Sequence, residues 1–166
     1  MRGSIPKTLM IPQRIIQFRN EAGQMDERLL EIREYIGPGY QPVIDFDTWR
    51  VAILNYLDEI QPERIDFMER HKETDEVFVM VKGKGILFLG EGEHGIESIH
   101  PQVMEFGKIY NVKRNVWHTV VLSLDGSVLI VENRNTSREN SDYYTLDRKL
   151  RDALIEKARR LSGIQT

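Results

Sequence analysis

Short apolar runs separated by turn residues dominate the middle of the chain, which is the pattern of many short β-strands. The segments predicted as strands are 49–57, 64–71, 76–81, 85–90, 95–99, 102–106, 108–112, 118–124 and 127–133. Asp125-Gly126 lies between two of these runs and predicts a two-residue hairpin. Many short strands at regular spacing predict an antiparallel sandwich or barrel.

Both ends of the chain show helical rather than alternating spacing. Residues 25–36 place Met25, Leu29, Leu30, Ile32, Tyr35 and Ile36 near one helical face, and Gly37-Pro38-Gly39 would end such a helix. Near the other end the leucines form a sparse helical stripe, at Leu146, Leu150, Leu154 and Leu161. Ser141 or Asp142 is a candidate cap for this second helix.

These patterns predict one domain with three parts. Residues 1–42 form an N-terminal helical extension, residues 43–135 form the barrel, and residues 136–166 form a C-terminal helical extension. The length of 166 residues suits a single domain that buries its own core without disulfides. Helices beside the barrel would cover a barrel face or an edge strand, and we expect a homodimer.

Composition narrows the partners of this domain. The chain has 23 Lys and Arg against 26 Asp and Glu, a formal net charge of −3, and no clustered basic face, so nucleic acid is not an expected partner. No apolar run is long enough to cross a bilayer, and the first ten residues show no export signal. The absence of cysteine fits a reducing compartment, and we expect a cytoplasmic protein.

Alternation along the strand predicted at 64–71 places its ionisable residues on two different faces. If the face with Ile65 and Phe67 points inward, Glu69 and His71 also point inward. The same reasoning puts Glu76 on the face of Phe78 in the next strand. Three strands therefore each carry an ionisable group at the end of an inward apolar row, and the third group is His118, which shares its face with Val120 and Leu122.

Charged or polar groups inside a barrel are costly unless something compensates them. A divalent cation compensates by neutralising carboxylates and by using imidazole lone pairs. A mixed set of two histidines with one or two carboxylates suits Mn, Fe, Ni or Zn. The alternative is a metal-free interior in which the same groups hydrogen-bond to one another.

The cluster resembles the first conserved motif of the cupin superfamily, G-x5-H-x-H-x3–4-E-x6-G. Glu69-Arg70-His71 stands where the motif has His-x-His, Glu76 follows after four residues, and Gly83 follows after six more. Together with the second motif, the resemblance covers about the middle two thirds of the chain.

The second cupin motif, G-x5-P-x-G-x2-H-x3-N, is similar to residues 107–122. Gly107 and His118 match it, whereas Lys113, Asn115 and Leu122 replace the Pro, the Gly and the final Asn.

The resemblance implies an all-β core folded as a double-stranded β-helix, or jelly-roll, cupin barrel, with the N- and C-terminal helices flanking it. It also implies that the metal positions map to Glu69, His71, Glu76 and His118. Glu69 departs from the motif, so it is either a carboxylate ligand or a neighbour free to act as the catalytic general base. Asp75 is an alternative to Glu76, but the spacing to Gly83 favours Glu76.

Fold does not specify a reaction, so two classes of function stay open. One is a metal-dependent isomerase, lyase or dioxygenase acting on a small oxygen-rich metabolite, such as a sugar, a hydroxy acid or a keto acid. The other is a non-catalytic cupin that binds a small molecule or has lost its metal.

Elsewhere, His94 and His100 are interpreted as surface residues, Asn55 as a cavity or core amide, and Lys113 as an anion-binding or plain surface residue.

Overall fold

The computed structural model describes residues 26–92 and 94–161. In these ranges the chain forms ten β-strands and one α-helix. The strands are β1 (Gly39–Phe46), β2 (Trp49–Asn55), β3 (Phe67–His71), β4 (Glu76–Lys82), β5 (Gly85–Glu91), β6 (Ser98–Met104), β7 (Ile109–Val112), β8 (Trp117–Leu122), β9 (Ser127–Asn133) and β10 (Ser141–Thr145). The helix α1 spans Arg148–Leu161, and a single 3₁₀ turn spans Asp58–Ile60. None of the helical structure in these ranges has the length and apolar character that a membrane span requires.

The strands form two five-stranded antiparallel sheets. The first sheet has the order β1-β2-β9-β4-β7, and the second sheet has the order β10-β3-β8-β5-β6. Most strands that follow each other in sequence lie in opposite sheets. The eight strands from β2 to β9 therefore pair as 2-9-4-7 and 3-8-5-6, which is the order of a jelly roll.

An inner core fills the space between the two sheets. Its members come from both sheets and are Ala52, Leu54, Phe78, Met80, Leu87, Met104, Val112, Val120, Leu122, Val128 and Ile130. In β4 and β9 the buried residues alternate with more exposed ones, as expected for strands with one buried face. The same interior holds the ionisable cluster described in the next subsection.

A second, outer core lies on the opposite face of the second sheet, where α1 covers it. Met68, Phe88 and Val121 point to this face and meet Leu150 and Leu154 of the helix. β8 therefore buries residues on both faces, since Val120 joins the inner core and Val121 the outer one. This double burial explains why β8 ends in three consecutive apolar residues, Val120 to Leu122, instead of alternating.

The N-terminal helix predicted over 25–36 is wrong for the described residues 26–36, which form one turn at 27–29 and no helix. Met25 lies outside the described residues. The side chains expected to form the apolar face are exposed, including Leu29 at 78% and Ile32 at 67%. A short amphipathic segment gains most of its helical stability from packing, and here that packing is missing.

Asn55 instead fixes the end of this segment, because its side-chain amide donates to the backbone carbonyls of Tyr35 (3.1 Å) and Gly37 (2.8 Å). The amide is thus half-buried and satisfied by backbone carbonyls.

The C-terminal helix is confirmed, but its predicted start is wrong. Ser141 and Asp142 lie in β10, an edge strand that the sequence pattern did not predict. The cap is Asp147, whose carboxylate accepts a hydrogen bond from the backbone N–H of Leu150 at 2.8 Å.

The predicted hairpin at Asp125-Gly126 is also wrong. β8 belongs to the second sheet and β9 to the first, so the turn carries the chain across the interior gap and does not pair the two strands. The backbone N–H of Gly126 donates to the carbonyl of Ser123 and closes the turn.

Two strand predictions merge, and a second strand besides β10, the strand β1, was not predicted. Segments 95–99 and 102–106 were predicted as separate strands but contribute to the single strand β6, which passes through Pro101. β1 was not predicted; it contains Pro42, and its register with β2 is irregular between Pro42 and Ile44. Both strands lie at sheet edges, where a missing backbone donor is tolerated.

Candidate metal centre

The ionisable residues predicted from the sequence meet at one end of the jelly roll. His71 ends β3, Glu76 begins β4, and His118 is the second residue of β8. Glu69 lies directly opposite His118 in the β3–β8 pair. Pairing of β3 with β8 thus brings together Glu69 and His118, which are 49 positions apart in the sequence, and Glu76 joins them from the facing sheet.

The burial expected along β3 is only partly correct. His71 is buried, but Phe67 is 44% exposed, and Ile65 packs in the outer core before the strand begins. Met68, on the opposite parity, is fully buried beneath α1. β3 therefore buries one face beneath α1 and only the His71 end of the other face, which differs from the single inward face expected from the sequence.

Glu76 lies at the centre of the cluster. Its Oε2 atom is 2.7 Å from Nε2 of His118 and 3.1 Å from Nε2 of His71. All three residues are less than 10% exposed. Two imidazole nitrogens and one carboxylate oxygen therefore converge in a space from which water is largely excluded.

The outer nitrogen of each ring also has a partner. Nδ1 of His118 lies 2.9 Å from the backbone carbonyl of Val116, which can only accept, so Nδ1 carries a proton. The Nε2 atom of a neutral His118 would then present a lone pair to the Glu76 carboxylate. This contact is favourable only if a proton or a metal ion lies between the two atoms. Nδ1 of His71 is 2.8 Å from the hydroxyl of Ser141, which can donate or accept.

Without a metal, the electrostatics favour an ion-paired cluster. Burial lowers the pKa of His118, but the hydrogen bond and the charge of Glu76 outweigh this and raise it to about 8. The pKa of His71 is raised by the same balance. Burial raises the pKa of Glu76, but its hydrogen bonds to the two histidines dominate and lower it to about 2.

Glu69 stands at the edge of this centre. Its carboxylate can reach a common point with His71 and His118, since the three candidate ligand atoms lie within 4.8 Å of one another. It pairs across β10–β3 with Tyr143, which is 42% exposed. Burial of Tyr143 and the negative charge of Glu69 both raise the pKa of the tyrosine.

Glu132 is a further carboxylate of the centre, and the sequence interpretation missed it. It is 6% exposed, and a carboxylate oxygen of Glu132, together with His71 and Glu76, forms a second set of ligand atoms within 4.8 Å of one another. The hydroxyl of Tyr40 donates a hydrogen bond to its Oε1. Burial raises the pKa of Glu132, although the bond from Tyr40 opposes the shift.

The signal for Glu132 was present in the sequence. β9 alternates Val128, Ile130 and Glu132 on its inner face, which is the same rule that selected Glu76 and His118.

The alternatives to these residues lie outside the centre. Asp75 accepts hydrogen bonds from the Lys113 ammonium (2.9 Å), the Asn111 amide and the Arg114 backbone, and Lys113 and the other donors lower its pKa to about 2. Asp75 therefore links its own loop to the loop of Lys113 and Arg114, and the Lys113 ammonium is paired with this carboxylate. His94 is exposed, and so is His100, which pairs with Glu91 at 3.0 Å.

The jelly-roll order of β2 to β9, with the two motif histidines and Glu76 on facing inner surfaces, defines a cupin-type fold. No protein-family model matches the sequence, and no curated protein matches it.

Several solved structures are similar to the chain. A cupin-2 domain protein from Shewanella frigidimarina is 13% identical, with 68% of this chain and 95% of that chain covered and a TM-score of 0.43. Pac13, described as a nucleoside dehydratase, is 9% identical, with 68% and 83% covered and a TM-score of 0.45. FeII HppE is 15% identical, with 57% and 50% covered and a TM-score of 0.44.

Proposed function

We propose that this chain binds one divalent transition metal ion at His71, Glu76 and His118 and uses it to act on a small oxygen-rich metabolite. The observation that carries the proposal is the convergence of two Nε2 atoms on one carboxylate oxygen, at 2.7 and 3.1 Å. The proton on Nδ1 of His118 leaves the lone pair of Nε2 directed at Glu76, which is the tautomer that a metal ligand needs. The residues present therefore fit a metal ion.

The mixed nitrogen and oxygen donors suit Mn, Fe, Ni or Zn. Glu69 or Glu132 would supply a second carboxylate, since one oxygen of each lies within 4.8 Å of a ring nitrogen of His71. An ion held there would act as a Lewis acid toward a carbonyl or hydroxyl oxygen of a sugar, a hydroxy acid or a keto acid. Glu69, if it is not a ligand, would accept or return a proton beside the centre.

A second candidate is a metal-free binding protein. It is favoured by the hydrogen bonds of the cluster, because no buried side-chain nitrogen or oxygen in the described ranges lacks a partner. In that case the Glu76–histidine pairs would be structural, and the inner surface would bind a small molecule without reaction.

Metal analysis of purified protein separates these candidates. We expect about one equivalent of metal in the native chain and a loss of affinity of roughly tenfold or more in His71→Ala and in His118→Ala. His100→Ala is the matched control, because this histidine is 58% exposed and lies outside the centre. If the native protein takes up no metal, or if both variants retain it, the proposed site is wrong.

Turnover then distinguishes an enzyme from a binding protein. The metal-loaded protein would be incubated with panels of sugars, hydroxy acids and keto acids, and products would be followed by NMR. Metal-dependent conversion of one class supports the enzyme. Saturable binding of a compound that emerges unchanged supports the non-catalytic alternative.

A further inference from the structure

The centre contains three carboxylates, which is more than one ion beside two histidines needs. Glu76 is held between the two histidines, so Glu69 and Glu132 compete for the remaining protein position. The resemblance to the cupin motif favours Glu69, because it stands where the motif has its first histidine. The structure distinguishes the two carboxylates by two properties: the hydrogen bond each makes on the side away from the ion, and how deeply each is buried.

Outer partners favour Glu132. Residues that bind metals are usually oriented by a hydrogen bond on the side away from the ion. His118 has the Val116 carbonyl in this role, and His71 has the Ser141 hydroxyl. Glu132 has the Tyr40 hydroxyl, which donates to Oε1, while one oxygen of the same carboxylate lies within 4.8 Å of the candidate ligand atoms of His71 and Glu76.

Burial also favours Glu132. Its side chain comes from the inner face of β9 and is 6% exposed, and Glu76, with the same exposure, is close enough to share a set of ligand atoms with it. Two dehydrated carboxylates at such a distance repel each other when both are charged, and a divalent cation between them removes that cost. Atoms that share one ion each lie about 2 Å from it, so a small closing movement of this set would suffice.

Glu69 has a different environment. It is half-buried, and its neighbour across β10–β3 is the exposed Tyr143. The ring of Tyr143 makes an edge contact at 5.5 Å with Phe67, which is 44% exposed. Glu69 therefore lies on the more exposed side of the centre, between His118, which it faces in the β3–β8 pair, and the exposed Tyr143.

We propose that Glu132, positioned by Tyr40, is the fourth protein ligand of the metal ion in place of Glu69, and that Glu69 faces the bound metabolite. The inference rests on the proposed function, since it assigns ligands for the ion proposed there. It gives this chain a ligand set of two histidines and two carboxylates in which both carboxylates come from the first sheet and both histidines from the second.

Isosteric variants test the assignment. Dissociation constants for Mn²⁺ and Zn²⁺ would be measured by chelator competition for the native chain and for Glu132→Gln, Glu69→Gln and Glu73→Gln. We expect Glu132→Gln to weaken binding roughly tenfold or more, and Tyr40→Phe to weaken it less, as loss of an outer partner does. Glu69→Gln should stay close to the control Glu73→Gln, whose carboxylate accepts from Asn135 and Asn140 on an exposed loop.

The visible spectrum of the Co²⁺-loaded protein supplies a second readout. Its bands should shift in Glu132→Gln and stay at their native positions in Glu69→Gln, because only a ligand changes the donor set. The melting temperature of metal-free Glu132→Gln should equal or exceed that of the native chain, since the substitution removes the repulsion between Glu132 and Glu76. A weaker affinity of this variant for metal then cannot be the result of unfolding.

The outcomes separate the two proposals. A native chain that binds no Mn²⁺, Zn²⁺ or Co²⁺ contradicts the proposed function itself. A native chain that binds metal and loses it in Glu69→Gln but not in Glu132→Gln leaves the proposed function standing and overturns this assignment.

Discussion

At the scale of single residues, the most informative contact is the one between Glu76 and His118. A buried carboxylate oxygen in contact with two imidazole nitrogens is stable only while the charges in the cluster balance. Protons supply that balance in the metal-free protein, and the metal ion would supply it in the loaded one. The two states should therefore respond to pH in opposite ways.

The stability of the metal-free protein should pass through a maximum between pH 4.5 and 6.5, the ordinary pKa values of Glu and His. The raised pKa of His118 gives stability that is complete below pH 6.5 and lost as the pH rises through about 8. A rise of this size corresponds to roughly 2 kcal/mol. The lowered pKa of Glu76 gives stability that is present above pH 4.5 and lost as the pH falls towards 2.

Melting temperatures in the presence of a chelator would measure this profile. The difference between the native chain and Glu76→Gln cancels the titration of groups outside the cluster. A native melting temperature that stays constant from pH 6.5 to 8, or that falls equally in Glu76→Gln, would contradict the prediction. With metal bound, the stability should instead increase over this range, because the ion competes with protons for the histidines.

At the scale of elements, two turns between the sheets pack against each other. Gly83 follows β4 and has a φ of +68°, and a Cβ atom added there would lie 2.7 Å from Cα of Gly126 in the β8–β9 turn. The backbone N–H of Lys84 also donates to the Ser123 hydroxyl at 2.9 Å. The final glycine of the first cupin motif is thus needed for its backbone angle and for its lack of a side chain.

Gly83→Ala should lower the free energy of unfolding by about 3 kcal/mol, from left-handed strain together with the clash of the turns. Gly107→Ala is a matched control, because Gly107 has a φ of +77° and no atom within 4 Å of its added Cβ. It should cost only about 1–2 kcal/mol. Urea unfolding of both variants measures the difference, and equal losses would show that the contact between the turns contributes nothing.

At the scale of the whole molecule, two cores share the second sheet. The inner core holds the two sheets together around the candidate metal centre, and the outer core attaches α1 to the back of the strands that carry His71 and His118. The helix thus supports the sheet face opposite the site. Leu154, which is fully buried, is a central contact of this outer core.

Leu154→Ala should destabilise the protein by about 2–5 kcal/mol, because it leaves a cavity between helix and sheet. Leu161→Ala, at the end of the same helix, removes a side chain that is 38% exposed and should cost about 0.5 kcal/mol. Thermal or denaturant unfolding provides both values. A loss at Leu154 no larger than that at Leu161 would mean that the helix is not needed for the stability of the sheets.

Local patterns in the sequence were sufficient for most of the strands and for three of the groups that meet in the centre. Alternation and short apolar runs identify β2, β4, β5, β8 and β9, and alternation directs His71, Glu76 and His118 inward. The resemblance to the cupin motifs adds the expectation of a jelly roll. These features depend on neighbours in the chain, so a single sequence contains them.

Tertiary structure decided the features that depend on distant partners. The sheet to which a strand belongs is not encoded next to its turn, so Asp125-Gly126 gave the appearance of a hairpin while its strands lie in opposite sheets. Residues 26–36 have helical spacing but no surface on which to bury it. Glu132 obeys the alternation rule, yet its place beside His71 and its bond from Tyr40 arise only when β9 and β1 join the first sheet and face β3 of the second. The sequence determined which side chains point inward, because that follows from the geometry of one strand; the fold determined which of them meet, because that requires the packing of two sheets.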